Sequence, residues 1–157
     1  MKKFIPATLC YIEKDNKILM LHRVKKEKDM HKGKWNGLGG KLEAGETPKE
    51  CAIREIYEES GLRATELFLN GLIVFPLFDG ENDWHAYLYH VTDFEGGLIS
   101  DSAEGNLKWI DKDKVLDLNL WEGDRVFIPW VLENRRFMAK FIYKNKVFKD
   151  YQVEFFD

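Results

Sequence analysis

Cysteine is scarce in this chain. Cys10 and Cys51 are the only two among 157 residues, too few for a disulfide framework and in keeping with reduced thiols in a cytoplasmic protein. Proline is sparse as well, at four residues, and no Pro/Gly/Ser-rich stretch, low-complexity tract or internal repeat interrupts the sequence. With 45% hydrophobic residues to build a core, a single compact domain over 1–157 is expected. No run approaches the roughly 20 apolar residues of a membrane span. Met1-Lys2-Lys3 followed by Phe4 to Ile12 has the outline of a signal peptide. Pro6 breaks it, however, no small-residue cleavage site follows, and it runs into Glu13-Lys14-Asp15-Asn16, so a strand and hairpin turn fit better. Positive charge is not in excess: the net charge of −3 argues against a dedicated nucleic-acid surface. His22, His31, His85 and His90 lack metal-ligand spacing and are assigned no chemistry.

What the chain does have is concentrated between Gly40 and Leu62, G-K-L-E-A-G-E-T-P-K-E-C-A-I-R-E-I-Y-E-E-S-G-L. At helical spacing, Glu55, Glu58 and Glu59 fall on one face, and Ala52, Ile53, Ile56 and Tyr57 on the roughly opposite one. Like charges at i, i+3 and i+4 destabilise an isolated helix by about 0.2–0.5 kcal/mol per pair. A hard divalent cation, which takes carboxylate oxygens, would turn that penalty into a binding site. Thr47, Pro48 and Glu50 predict a capped helix start with a T-x-x-E capping box, and Ser60-Gly61 a left-handed stop. Arg54 lies four residues from both Glu50 and Glu58, a spacing that lets its guanidinium hold both carboxylates. Gly39, Gly40 and Gly45 predict a loop whose backbone approaches a ligand closely.

Along the rest of the chain, alternation and turn residues predict strand, turn and strand over 7–23, with Asp15-Asn16 at the turn. A basic loop is expected from Val24 to Lys34, strands over 66–77 and 84–92, and a short strand over 107–110. Asp111 is placed to cap a short helical turn, 122–135 has helical apolar spacing, and 137–156 reads as a hairpin turning at Lys144-Asn145. The fold class is therefore α/β, with a mixed sheet packed against helices.

The central segment resembles the Nudix box, G-x5-E-x7-R-E-U-x-E-E-x-G-U with U a bulky aliphatic residue. Gly40, Glu46, Arg54, Glu55, Ile56, Glu58, Glu59, Gly61 and Leu62 fill its specified positions. The resemblance implies an α/β/α sandwich whose loop-helix-loop holds Mg²⁺ or Mn²⁺ and hydrolyses a diphosphate linked to another moiety, usually a nucleoside. Two further segments are similar to the MutT-like branch that hydrolyses oxidised purine nucleoside triphosphates and sanitises nucleotide pools. Trp35 to Lys41 resembles its W-N-G-[FL]-G-G-K entry, and Leu120 to Asp124 its L/M-W-P-D-D segment, with Glu122 in place of Pro and Gly123 in place of the first Asp.

On this resemblance Glu55, Glu58, Glu59, Glu104 and the Gly39 carbonyl are expected to hold the metal, with Arg54 supporting the carboxylates. Either Glu55 or Glu104 would remove the proton from water. Arg23 and Lys41 are placed for the phosphates, and Trp121, Asn36 and Asp124 for the base. For these last three a core aromatic, a turn residue and a helix cap are the respective alternatives. The expected reaction is conversion of a purine nucleoside triphosphate such as dGTP or 8-oxo-dGTP to the monophosphate and pyrophosphate. With one acid missing at 123, discrimination for the oxidised base is expected within roughly tenfold. The same site would accept the triphosphate of an RNA 5′ end while the basic loop held the chain. A non-catalytic nucleotide-binding module of this fold is the remaining alternative.

Overall fold

The structure is a computed structural model that describes residues 3–99 and 102–157; the first two residues of the signal-like start lie outside it. Among the described residues eight strands form one mixed sheet: β1 (Phe4–Lys14), β2 (Lys17–His22), β3 (Trp35–Asn36), β4 (Arg63–Phe75), β5 (Asp83–Glu95), β6 (Asn106–Asp111), β7 (Phe137–Lys144) and β8 (Val147–Phe155). The order is β3-β2-β1-β5-β4-β7-β8, with β6 also paired to β2. The β1–β5 and β4–β7 pairs are parallel and the other strand pairs antiparallel.

Side chains that alternate along each strand feed two separate cores. Tyr11, Ile18, Met20, Leu88 and Ile73 join helix α2 (Glu122–Leu132) through Phe127, Ile128 and Val131. Cys10, Ile12, Leu19, Tyr89 and Val91 join helix α1 (Pro48–Ser60) through Ala52 and Ile56. The sheet is thus covered by a helix on each face, as the α/β/α sandwich requires.

Local chemistry explains the elements that were legible. The hairpin joining β1 to β2 turns at Asp15-Asn16, both with positive φ, the conformation of a tight turn matched to strand twist. The last hairpin turns one residue later than expected, at Asn145-Lys146, again both with positive φ. In α1 the capping box is complete: Thr47 Oγ1 accepts from Glu50 N and Glu50 Oε1 from Thr47 N. Gly61 closes the helix in the left-handed conformation, its N–H donating to Tyr57 O. Two expectations need correction, and one alternative falls away. Tyr57 is exposed rather than packed, because its side of the helix looks past the sheet. Asp111 makes no capping bond to the 3-10 turn that follows it and pairs loosely with Lys17. Asp124, three positions into α2, does not cap that helix.

Candidate active site

The entry to α1 is a strip of backbone laid against β1. Leu38 and Cys10 exchange N–H···O bonds and Thr8 N donates to Gly40 O. Gly39 has φ near 151° in this strip, and a Cβ there would lie 2.0 Å from Thr8 O, so only glycine fits. A Cβ on Gly40 would lie 2.6 Å from the Glu55 carboxyl carbon. That carboxyl therefore rests directly on the loop. Behind it, Glu59 Oε1 accepts from Gly39 N at 2.9 Å. Two of the acidic-face residues thus fasten helix to loop as well as presenting oxygen.

Arg54 organises the acids, holding Glu58 as spacing suggested but taking Glu46 in place of Glu50. Its Nε and NH2 grip Glu46 at 2.6 and 2.9 Å, a bidentate pair. NH1 reaches Glu55 Oε1 at 2.8 Å and Glu58 Oε2 at 3.3 Å, and NH2 bonds Lys41 O. Glu50 is absent from this set because the capping box occupies it, and the loop curls back to bring Glu46 in its place. The guanidinium holds the Glu46 carboxyl down to about 2.

Glu59 is buried, at 7% exposure. Burial first, then a hydrogen bond with the facing Glu104 carboxyl, push its pKa well above the usual carboxylate range. Burial also raises Glu55. Two carboxyls in contact favour sharing one proton unless a positive charge comes between them. The Gly39 carbonyl accepts no hydrogen bond among the described residues, and all the surrounding donors are oxygens, the set that hard divalent cations take. The residues therefore fit such an ion. Among the described residues no group of three or more His, Cys, Asp or Glu side chains is yet gathered so as to hold a metal ion; Arg54 holds one oxygen each of Glu55 and Glu58.

A cavity of about 780 Å³ opens from these acids. Arg23, Asn36, Gly39, Lys41, Arg54, Glu55, Glu104, Trp121 and Asp124 all line it. Glu58 stays exposed beside Arg54, and Glu59 lies behind Gly39. Arg23 is pinned by Asp29 at 2.8 Å and Glu104 at 3.5 Å. Lys41 makes no ion pair among the described residues, and its Nζ lies 5.6 Å from the centre of the Trp84 ring.

The far end is aromatic. Trp121 is 6% exposed and belongs both to the core and to the cavity wall, so stacking and packing are not exclusive. Phe78 and Tyr143 meet its ring edge-on, and Lys34 Nζ sits 5.2 Å from its centre. Its Nε1–H donates to His31 Nδ1 at 2.8 Å. Burial, with Arg23 adding repulsion, lowers His31 to about 4, so the imidazole is neutral and its Nδ1 accepts. Burial pushes Asp124 up to about 8 against the pull of Lys34 and Arg125. At neutral pH its carboxyl is mostly protonated and can donate as well as accept.

His31, Phe78 and Tyr143 were not among the expected site residues. His31 lies in a loop with no periodicity to place it. Tyr143 did have a signal: it continues the inward alternation of Phe137, Ala139 and Phe141 along β7.

The NUDIX domain model matches residues 3–131. The chain is a Nudix hydrolase. It is 36% identical over 117 residues to a zebrafish (Danio rerio) protein named oxidized purine nucleoside triphosphate hydrolase, covering 74% of each chain. It is 28% identical to the CTP pyrophosphohydrolase of Escherichia coli, over 78% of this chain and 87% of that one. Among solved structures, a MutT protein from Bacillus halodurans superposes with a TM-score of 0.85 at 29% identity, over 96% of this chain and 97% of that one. This MutT-like architecture carries the Nudix helix and both of its flanking glycine turns.

Proposed function

We propose that this Nudix hydrolase is a divalent-metal-dependent nucleoside triphosphate pyrophosphohydrolase. It would convert purine nucleoside triphosphates such as dGTP or 8-oxo-dGTP to the monophosphate and pyrophosphate. The observation that carries the reading is one cavity with oxygen donors at one end and an aromatic, hydrogen-bonding pocket at the other. The name of the zebrafish relative supports a purine nucleoside triphosphate, oxidised purines included; hydrolysing those would serve nucleotide-pool sanitation. The Escherichia coli name supports a cytosine base as the rival.

Glu55, Glu58, Glu59, Glu104 and the Gly39 carbonyl would hold Mg²⁺ or Mn²⁺. When bound, such an ion supplies charge neutralisation for the phosphate oxygens and acidifies water. The protein's own contribution is positioning. Arg54 fixes the acids, the Gly39 amide fixes Glu59, and Arg23 and Lys41 face the polyphosphate. Glu55 is the proton acceptor for the attacking water, because Oε2 remains available while Arg54 holds only Oε1. Both oxygens of Glu104 are drawn to cations, Oε1 to Lys26 and Oε2 to Arg23, each at 3.5 Å. The proton leaves water for Glu55 Oε2, the water oxygen bonds to the α-phosphorus, and the bond from that phosphorus to the α,β-bridging oxygen breaks, its electron pair leaving with pyrophosphate. Trp121 stacks on the base, with Asn36 and Asp124 at its edge.

Pyrophosphate release from dGTP, 8-oxo-dGTP, dCTP, ADP-ribose and triphosphorylated RNA tests the reading. Purine triphosphates should be the best substrates. Faster turnover of dCTP or of the RNA 5′ end would replace it.

A further inference from the structure

The glycine at 123, where the resembled segment has an acid, is not an open gap. A Cβ on Gly123 would lie 2.6 Å from the Tyr143 hydroxyl and 2.9 Å from Cδ2 of Phe141. The space beside the glycine is taken by a side chain arriving from β7. The Tyr143 hydroxyl accepts the Gly123 N–H at 2.6 Å, one of the first-turn amides of α2 that have no partner within the helix.

That bond fixes which way the hydroxyl works. A phenol has one proton and two acceptor lone pairs. With Gly123 N–H donating to the oxygen, the O–H is directed elsewhere, and among the described residues it meets no protein acceptor. Tyr143 lines the same cavity as Trp121, Asn36 and Asp124, with its ring edge-on to Trp121 at 5.7 Å. Burial, and next the nearby Asp124, hold the phenol far above its ordinary range, so it keeps its proton.

We propose that the Tyr143 hydroxyl reads the base in this chain, donating a hydrogen bond that selects a base with a keto oxygen over one with an amino group. This deepens the nucleotide reading of the cavity and rests on it. A keto oxygen accepts the O–H and leaves nothing unpaired, whereas an amino group can only donate to the remaining lone pair and leaves the O–H without an acceptor. An acid that donates and accepts would tolerate either edge, whereas the engaged phenol favours one.

The test is steady-state kinetics of the wild type and Tyr143→Phe with dGTP, dITP and dATP. Both dGTP and dITP carry the keto oxygen, and dITP lacks the 2-amino group. In the wild type, kcat/KM for dGTP and dITP should be alike and exceed that for dATP by roughly tenfold, the scale of one such hydrogen bond. In Tyr143→Phe that gap should close through a higher KM for the keto substrates, with kcat changed less than about twofold. A persisting gap, or an equal loss of kcat on all three, would overturn the proposal. Calorimetry on the unaltered protein needs neither a folded variant nor turnover: dGMP should bind more tightly than dAMP. Equal affinities would overturn the keto preference even if hydrolysis is robust. A clear preference with no hydrolysis would support it while removing the activity reading.

Discussion

At Asp124, burial opposes the charge that a surface acid would carry. Its pKa stands at about 8 in the folded protein against 3.8 ordinarily. Between those values the folded state keeps a proton that the unfolded chain releases. Stability from this group is therefore greatest below about pH 4 and is lost as pH rises to about 8. In urea titrations, the fall in unfolding free energy between about pH 5 and about pH 9 should be smaller in Asp124→Asn than in the wild type, because the amide removes this linkage. Parallel pH profiles would mean that Asp124 ionises freely. Trp121 needs a different measurement because it is both wall and core. Trp121→Ala should raise KM by the equivalent of about 1–3 kcal/mol of stacking and also lower the melting temperature. Trp121→Phe should recover most of the stability and only part of the affinity. If the Phe variant recovers stability and shows wild-type KM, the base lies elsewhere.

The Nudix helix shows how an element can be legible in sequence while its partners are not. Thr47, Pro48, Glu50 and Gly61 act on backbone within one turn of themselves, so their roles follow from spacing alone. Thr47→Ala should cost about 1 kcal/mol, a fall of roughly 2–4 °C in Tm for a chain of this size. Turnover well below Tm should be unaffected; loss of activity without loss of Tm would give the cap a catalytic part it is not assigned here. Glu46 on Arg54 could not be found this way, since it depends on how the loop folds back. His31 and Tyr143 reach the cavity from a distant loop and strand, and only the assembled sheet brings them to Trp121. The acids of the helix and the glycine strip could be named from one contiguous motif, and Trp121 from a separate short segment. The parallel pairing of β1 with β5 was not, because alternation shows which residues face a core but not which strand lies alongside.

For the molecule as a whole, cation binding should act on stability as well as on rate. A ligand that binds only the folded state stabilises it by about 2.7 kcal/mol at a hundredfold excess over Kd. Thermal denaturation with increasing Mg²⁺ should show a rising Tm in the wild type and a much smaller rise in Glu59→Gln. The amide matches the protonated carboxyl in shape, so the variant should remain folded in chelator. Equal shifts in both proteins would place the ion away from this helix. The sheet order has a separate consequence, in time. β1 lies between β2 and β5, and Ile12 pairs with Val91, while β4 waits for Phe137 and its neighbours on β7. A ribosome making this chain must emit β5 before the inner strand is covered on both edges, and β7 before β4 is. Long-separation pairing of this kind slows folding and leaves unpaired edges exposed meanwhile. The Nudix helix, complete in its own caps, is thus made well before the surface it will serve.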